Sequence, residues 1–163
     1  MKLITKSLFV LSFLFLLTSC SKDEELLIEQ QEVTTSADLI VEDVFAAQIL
    51  DAVNEYRASI GKASFKLHTA SKSKAIEHSK YMASKNEISH DHFYERSDYL
   101  KSQGAHRVSE NVAFGYSNAD EVLKAWLNSP SHREALEGDF TDSGIAVVKT
   151  EKGVTYFTQI FVN

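Results

Sequence analysis

The end of the chain limits the fold most. Residues 144–149 and 154–162 are dense in Val, Ile, Phe, Tyr and Thr, and Thr150-Glu151-Lys152-Gly153 between them has the makings of a tight turn. The segment therefore reads as a β-hairpin. Near their middles both strands are apolar at consecutive positions, as in Ile145-Ala146-Val147-Val148 and Ile160-Phe161-Val162. A strand wet on one face alternates, whereas a strand apolar on both faces needs cover on both. The preceding chain can supply that cover. Residues 38–60 place Phe45/Ala46, Ile49/Leu50, Val53, Tyr56 and Ile60 at helical spacing, with Gly61 placed to end the helix. A second helix is expected over 69–86, its stripe of Ala75, Ser79, Met82 and Ala83 a thin one, and a third over 93–103, stopped by Gly104. Asn118 with Glu121 forms a capping-box pattern ahead of the stripe Val122, Leu123, Trp126 and Leu127. Ser129 as N-cap and Pro130 at the first helical position start a last short helix through Leu136. Helices first and antiparallel strands last give an α+β fold.

The first twenty residues do not belong to that fold. Lys2 and Lys6, the apolar run Leu8–Leu17 and a small-residue region ahead of Cys20 describe a secretory signal, too short to span a bilayer, which takes about 20 apolar residues. Leu17-Thr18-Ser19-Cys20 resembles a bacterial lipobox, in which the Cys thiol takes a lipid and becomes the first mature residue. Cys20 is the single cysteine, and lipidation accounts for an unpaired thiol in an exported chain. The expected organisation is a signal over 1–19, lipidated Cys20 and an acidic flexible tether over 20–40, and one domain over 41–163. The expected location is the bacterial cell envelope, on the periplasmic side or at the surface, with the membrane as partner through the lipid.

Charge agrees with that division. Residues 21–43 carry eight acids and one base, and residues 44–163 carry 15 acids and 14 bases. A near-neutral domain gives no footing for nucleic-acid binding. The polar, acidic stretch is of the kind that stays disordered, with a reach of about 25 Å for some 20 residues.

Five short motifs stand in order along the domain: Asn54-Glu55-Tyr56-Arg57, Ser89-His90, Glu110-Asn111, Ser129-Pro130-Ser131-His132-Arg133 and Thr158-Gln159-Ile160-Phe161. Together they resemble the CAP superfamily (cysteine-rich secretory proteins, antigen 5 and pathogenesis-related 1 proteins), in its bacterial branch of SCP-domain proteins, over residues 49–161. The resemblance implies a three-layer α-β-α sandwich with an antiparallel sheet. It also implies a cleft lined by His90, Glu110, Asn111, Ser129, His132, Tyr156 and Gln159. Many members hold two His and two Glu there, in some cases around a divalent metal. His90 and Glu110 match that set, whereas Ser129 stands where the second Glu is usual and Tyr156 where the second His is. Ser109 replaces the Gly of the Gly-Glu-Asn motif.

Three chemistries remain open for His90, Glu110 and His132. They suit metal ligation, with His90 and His132 binding an ion such as zinc. They also suit general acid–base catalysis near neutral pH, and equally a buried hydrogen-bond network that ties loops to the sheet. His92 is a spare ligand beside His90, His78 is expected to be structural, and His68 and His106 are expected at the surface. Arg57 and Arg133 are expected to anchor helix ends or pair with acids, and Trp126 belongs to the core. The function expected first is capture of an extracellular lipid, glycan or protein in the cleft. Hydrolysis in the same cleft, or a purely structural or adhesive role, stands beside it.

Overall fold

The computed structural model describes residues 39–163; the expected signal, Cys20 and nearly all of the tether lie outside the described residues. The elements are β1 (Ile40–Val41), α1 (Asp43–Ser59), β2 (Lys66–Leu67), α2 (Thr69–Lys85), α3 (Phe93–Ser102), β3 (Val108–Phe114), α4 (Ala119–Asn128), α5 (Pro130–Glu137), β4 (Asp142–Lys149) and β5 (Thr155–Val162). The hairpin of β4 and β5 is the centre of the sheet. β5 also pairs antiparallel with β3, while the other edge of β4 is shared by antiparallel β1 and a two-residue parallel pairing with β2.

Both faces of the hairpin are covered, as its composition requires. Ile145, Val147, Phe157 and Phe161 face Ile49, Val53, Val122, Trp126 and Leu136 of α1, α4 and α5. Ala146, Val148, Tyr156, Ile160 and Val162 face Ala75, Met82 and Leu100 of α2 and α3. The result is an α-β-α sandwich. None of the described helices is long and apolar enough to cross a membrane.

The structure corrects the expected elements in three places. The first helix begins at Asp43 rather than residue 38, because Ile40 and Val41 are drawn into pairing with Lys149 and Val148. β3 has no counterpart among the expected elements. Its Ser109-Glu110-Asn111 is a poor strand sequence by propensity, and pairing with β5 across seven residues overrides that preference. Asn118 accepts the Glu121 amide at 3.0 Å, but Glu121 closes back on the backbone and hydroxyl of Ser117, one residue earlier than the usual box.

The thin stripe of α2 has a physical reason. Its small buried residues, Ser71, Ala75 and Ser79, let the helix sit directly on β4. A Cβ at Gly144 would stand 2.0 Å from the Lys72 backbone nitrogen. The steric demand therefore falls on a rigid backbone rather than on a side chain that can turn away. Gly144→Ala is expected to lower stability by about 3 kcal/mol, the upper part of the usual range for overpacking. A urea midpoint within error of wild type would show that α2 can shift without cost.

Candidate functional site

Most of the motif residues are fastenings. Asn54 makes two hydrogen bonds to the Phe65 backbone. Arg57, 2% exposed, donates to the carbonyls of Ala63, Leu136 and Gly138 at 2.7–3.0 Å and lies over the Phe65 ring. Arg133 donates to Leu127 O at 2.6 Å, at the end of α4. Each arginine thus satisfies helix-end carbonyls that have no partner within the helix. Thr158 and Gln159 act on opposite faces of β5. Ser79 Oγ donates to Thr158 Oγ1 at 2.8 Å, and Gln159 Nε2 donates to Ser143 Oγ at 3.1 Å.

The strand register divides the seven expected cleft residues. Glu110 pairs with Ile160 and so faces α2 and α3; Asn111 pairs with Gln159 and faces α1, α4 and α5. Asn111 and Gln159 are 1% and 0% exposed, and Asn111 Nδ2 donates to the His132 carbonyl at 3.0 Å. Both are buried hydrogen bonders, closed off from solvent. Tyr156 is also buried, stacked beneath Phe114, and its hydroxyl donates to Asn86 Oδ1 at 3.2 Å, on the left-handed residue that caps α2. These three residues do not line an open cleft.

His90 and Glu110 do meet. His90 Nδ1 lies 2.9 Å from Glu110 Oε1, with half of the imidazole exposed and the carboxylate buried. The same carboxylate receives Arg96 in a fork, Nε to Oε2 at 2.8 Å and Nη2 to Oε1 at 2.7 Å. Arg96 Nη1 donates to Asp91 O at 2.6 Å, tying the guanidinium to the loop that carries His90. Sequence reasoning misses Arg96 because it sits in α3 with no motif around it. Its one signal is Phe93-Tyr94-Glu95-Arg96, a cation one helical turn along from a loop rich in histidine. His78, as expected, is structural. It is buried, and its Nε2 donates to Ser89 O at 2.8 Å.

His92, His68 and His106 take no part in the His90–Glu110 contact. His92 is exposed, 3.4 Å from Glu95 and edge-on to Tyr81. His68 is no idle surface residue; its Nδ1 accepts the Ser71 amide and caps α2. His106 is exposed, as expected. Ser129 holds the N-cap position of α5, yet its hydroxyl makes no capping bond and stands 3.4 Å from Ser131 Oγ. With Ile88, Val112, Ala113, Phe114, Tyr116, Ala125, Trp126 and His132, Ser129 lines a groove of about 230 Å³ over the free edge of β3. Ile88 and Phe114, on its rim, are 39% and 52% exposed. Trp126 forms the floor, its Nε1 donating to Val112 O at 3.1 Å.

The electrostatics follow from this packing. Burial alone would raise the Glu110 pKa, but the hydrogen bonds from His90 and Arg96 and the Arg96 charge outweigh it, and the net shift is downward. Burial, then the neighbouring His90, hold His132 below the ordinary imidazole range, and burial does the same to His78. Both rings are therefore neutral at pH 7.

The sequence pattern of the cysteine-rich secretory protein family, CAP, matches residues 50–161. The chain belongs to that family. It is 31% identical over 120 residues to the uncharacterized membrane protein YlbC of Bacillus subtilis, covering 71% of this chain and 33% of the relative. It is 30% identical over 139 residues to the uncharacterized protein YkwD of the same organism, covering 82% of this chain and 52% of the relative. This CAP chain thus spans between a third and about half of those relatives. Among solved structures, an extracellular protein with an SCP domain from Bacillus anthracis superposes with a TM-score of 0.64 at 29% identity, over 75% of this chain and 41% of that one. An outer surface protein of Borrelia burgdorferi superposes with a TM-score of 0.71 at 23% identity, over 78% and 98% of the two chains. These likenesses agree with the sandwich described above.

A group whose pKa is depressed by folding stabilises the protein above its unfolded value and loses that contribution as pH falls through the folded value. For Glu110 the ordinary value is 4.5, so its contribution is full at neutral pH and lost in acid. Glu110→Gln leaves Arg96 buried without a charge partner, and is expected to cost about 3 kcal/mol at pH 7. The variant should also lose less stability than wild type on acidification below pH 4.5. Parallel pH-stability curves for the two proteins would mean that the Glu110 ion pair contributes nothing.

Proposed function

We propose that this CAP domain is held at the cell envelope by a lipid on Cys20 and binds the apolar part of an amphipathic ligand, such as an acyl chain, in the groove over β3. The observation that carries the reading is the groove itself. Two of its lining side chains, Ile88 and Phe114, are large, apolar and open to solvent, and apolar surface gains free energy by being covered. His132 and Ser129 line the same groove and suit a polar head group. Glycans ask for a denser set of hydroxyl, amide and carboxylate partners than these walls present. Hydrolysis has less support, because both oxygens of Glu110 are engaged by Arg96 and His90. A relative named as a membrane protein and another named as extracellular support an envelope location.

Trp126 is the single tryptophan of the chain and floors the groove, so its fluorescence reports occupancy. A fatty acid brominated in mid-chain is expected to quench it saturably. Phe114→Asp should weaken the effect about tenfold, the loss that goes with roughly 1.4 kcal/mol of apolar contact. Quenching that never saturates, or is indifferent to Phe114, would remove the acyl-chain reading.

Anchoring has a separate test. Wild type is expected to incorporate radiolabelled palmitate and Cys20→Ser to incorporate none, keeping its signal segment. Continued labelling of the variant would place the lipid on another residue.

A further inference from the structure

Three hydrogen-bond donors already converge on the Glu110 carboxylate. Oε2 takes Arg96 Nε at 2.8 Å, while Oε1 takes both Arg96 Nη2 at 2.7 Å and His90 Nδ1 at 2.9 Å. His78 Nε2 stands 3.8 Å from the same Oε1. Two imidazoles and a carboxylate therefore converge, which by residue type is a zinc set. The protons say otherwise. An imidazole nitrogen facing a carboxylate or a carbonyl oxygen must carry its hydrogen, because oxygen only accepts. His90 Nδ1 faces Glu110, and His78 Nε2 faces the carbonyl of Ser89 at 2.8 Å. Neither nitrogen has a lone pair to give to the centre. The guanidinium between them cannot lose its charge, and it is fixed from behind by Asp91 O at 2.6 Å. Arg96 and Glu110 are 7% and 8% exposed, so solvent does little to screen Arg96 from a second cation. On the outer side only His90 and His132 are left, and among the described residues no three His, Cys, Asp or Glu side chains gather to hold an ion.

We propose that Arg96 is the resident cation of this centre: its guanidinium occupies the place on Glu110 that a divalent metal would take, and the site is complete without one. The chain then uses Arg96 as a positioning residue. It fixes Glu110, Glu110 fixes the His90 ring through its Nδ1 proton, and the ring turns its Nε2 edge to solvent. The arrangement does not depend on what the groove binds; a protein indifferent to zinc can pass or fail the acyl-chain test equally well.

Calorimetric titration of zinc into the full chain, carrying Cys20→Ser to remove the thiol, tests the assignment. Wild type in this background is expected to bind no more tightly than about 1 mM at pH 7, with an unfolding midpoint unchanged by a chelator. Arg96→Gln removes the fixed positive charge and frees Glu110 Oε2 and one of the two donors on Oε1. If folded by circular dichroism, it is expected to bind zinc at least about tenfold more tightly, and to lose that gain when Glu110→Gln is added. Cobalt(II) in place of zinc should then show ligand-field absorption in Arg96→Gln alone. Micromolar zinc binding by wild type that Glu110→Gln abolishes would overturn the proposal. So would a folded Arg96→Gln that binds no better than wild type. Should Arg96→Gln fail to fold, Arg96→Lys keeps the charge and decides the matter beside wild type. Zinc indifference in both upholds the assignment, and micromolar binding by either overturns it.

Discussion

β4 and β5 pair over eight positions, and both strands are buried on both faces through their middles. A layer of backbone and apolar side chains closed off in this way must be covered by helices above and below, and those helices must reach it from a short chain. The rest of the domain is arranged around that demand. α1, α4 and α5 bring large side chains, Trp126 and Leu136 among them, to one face. α2 does the opposite on the other face, bringing small residues and resting its backbone on Gly144. The asymmetry leaves room on the α2 side for a polar centre. Glu110, Arg96 and His78 lie within this layer, where fully apolar packing would have excluded them.

The sandwich can be read from the sequence because its causes are local. Consecutive Val and Ile in β4, the apolar stripe of α1 and the Ser-Pro start of α5 each carry their meaning within a few residues. β3 cannot be read in that way, because its reason for being a strand is β5, some fifty residues further on. The ends that pair with β4, at Ile40–Val41 and Lys66–Leu67, are two-residue strands for the same reason. They exist because a neighbour offers free backbone groups, and they have no pattern of their own.

The candidate site is legible in part, and the parts that fail share one cause. Motif order identifies His90 and Glu110 correctly as neighbours in space. It cannot say which face of the sheet a strand residue takes. Asn111 and Gln159 fall one position from Glu110 and Ile160, and that single step turns them into the opposite layer. Tyr156 lies on the same face as Glu110 but beneath Phe114. Arg96 is hidden for a different reason. An arginine on a helix is ordinary until the carboxylate it meets is known, and that carboxylate lies 14 residues away on a strand that the sequence does not announce.

Trp126 has a consequence beyond the groove it floors. An exposed sheet edge offers unpaired backbone groups to any other strand, and proteins guard against that. The carbonyl of Val112, in the edge strand β3, is taken by the indole. At the opposite side β4 is shared by two strands of two residues each, too short to template a third. Copies of any domain brought close together meet at high local concentration, the condition that favours strand exchange. Both sides of the sheet thus offer fewer free backbone groups than two fully open edges would, which leaves a neighbouring copy less backbone to pair with.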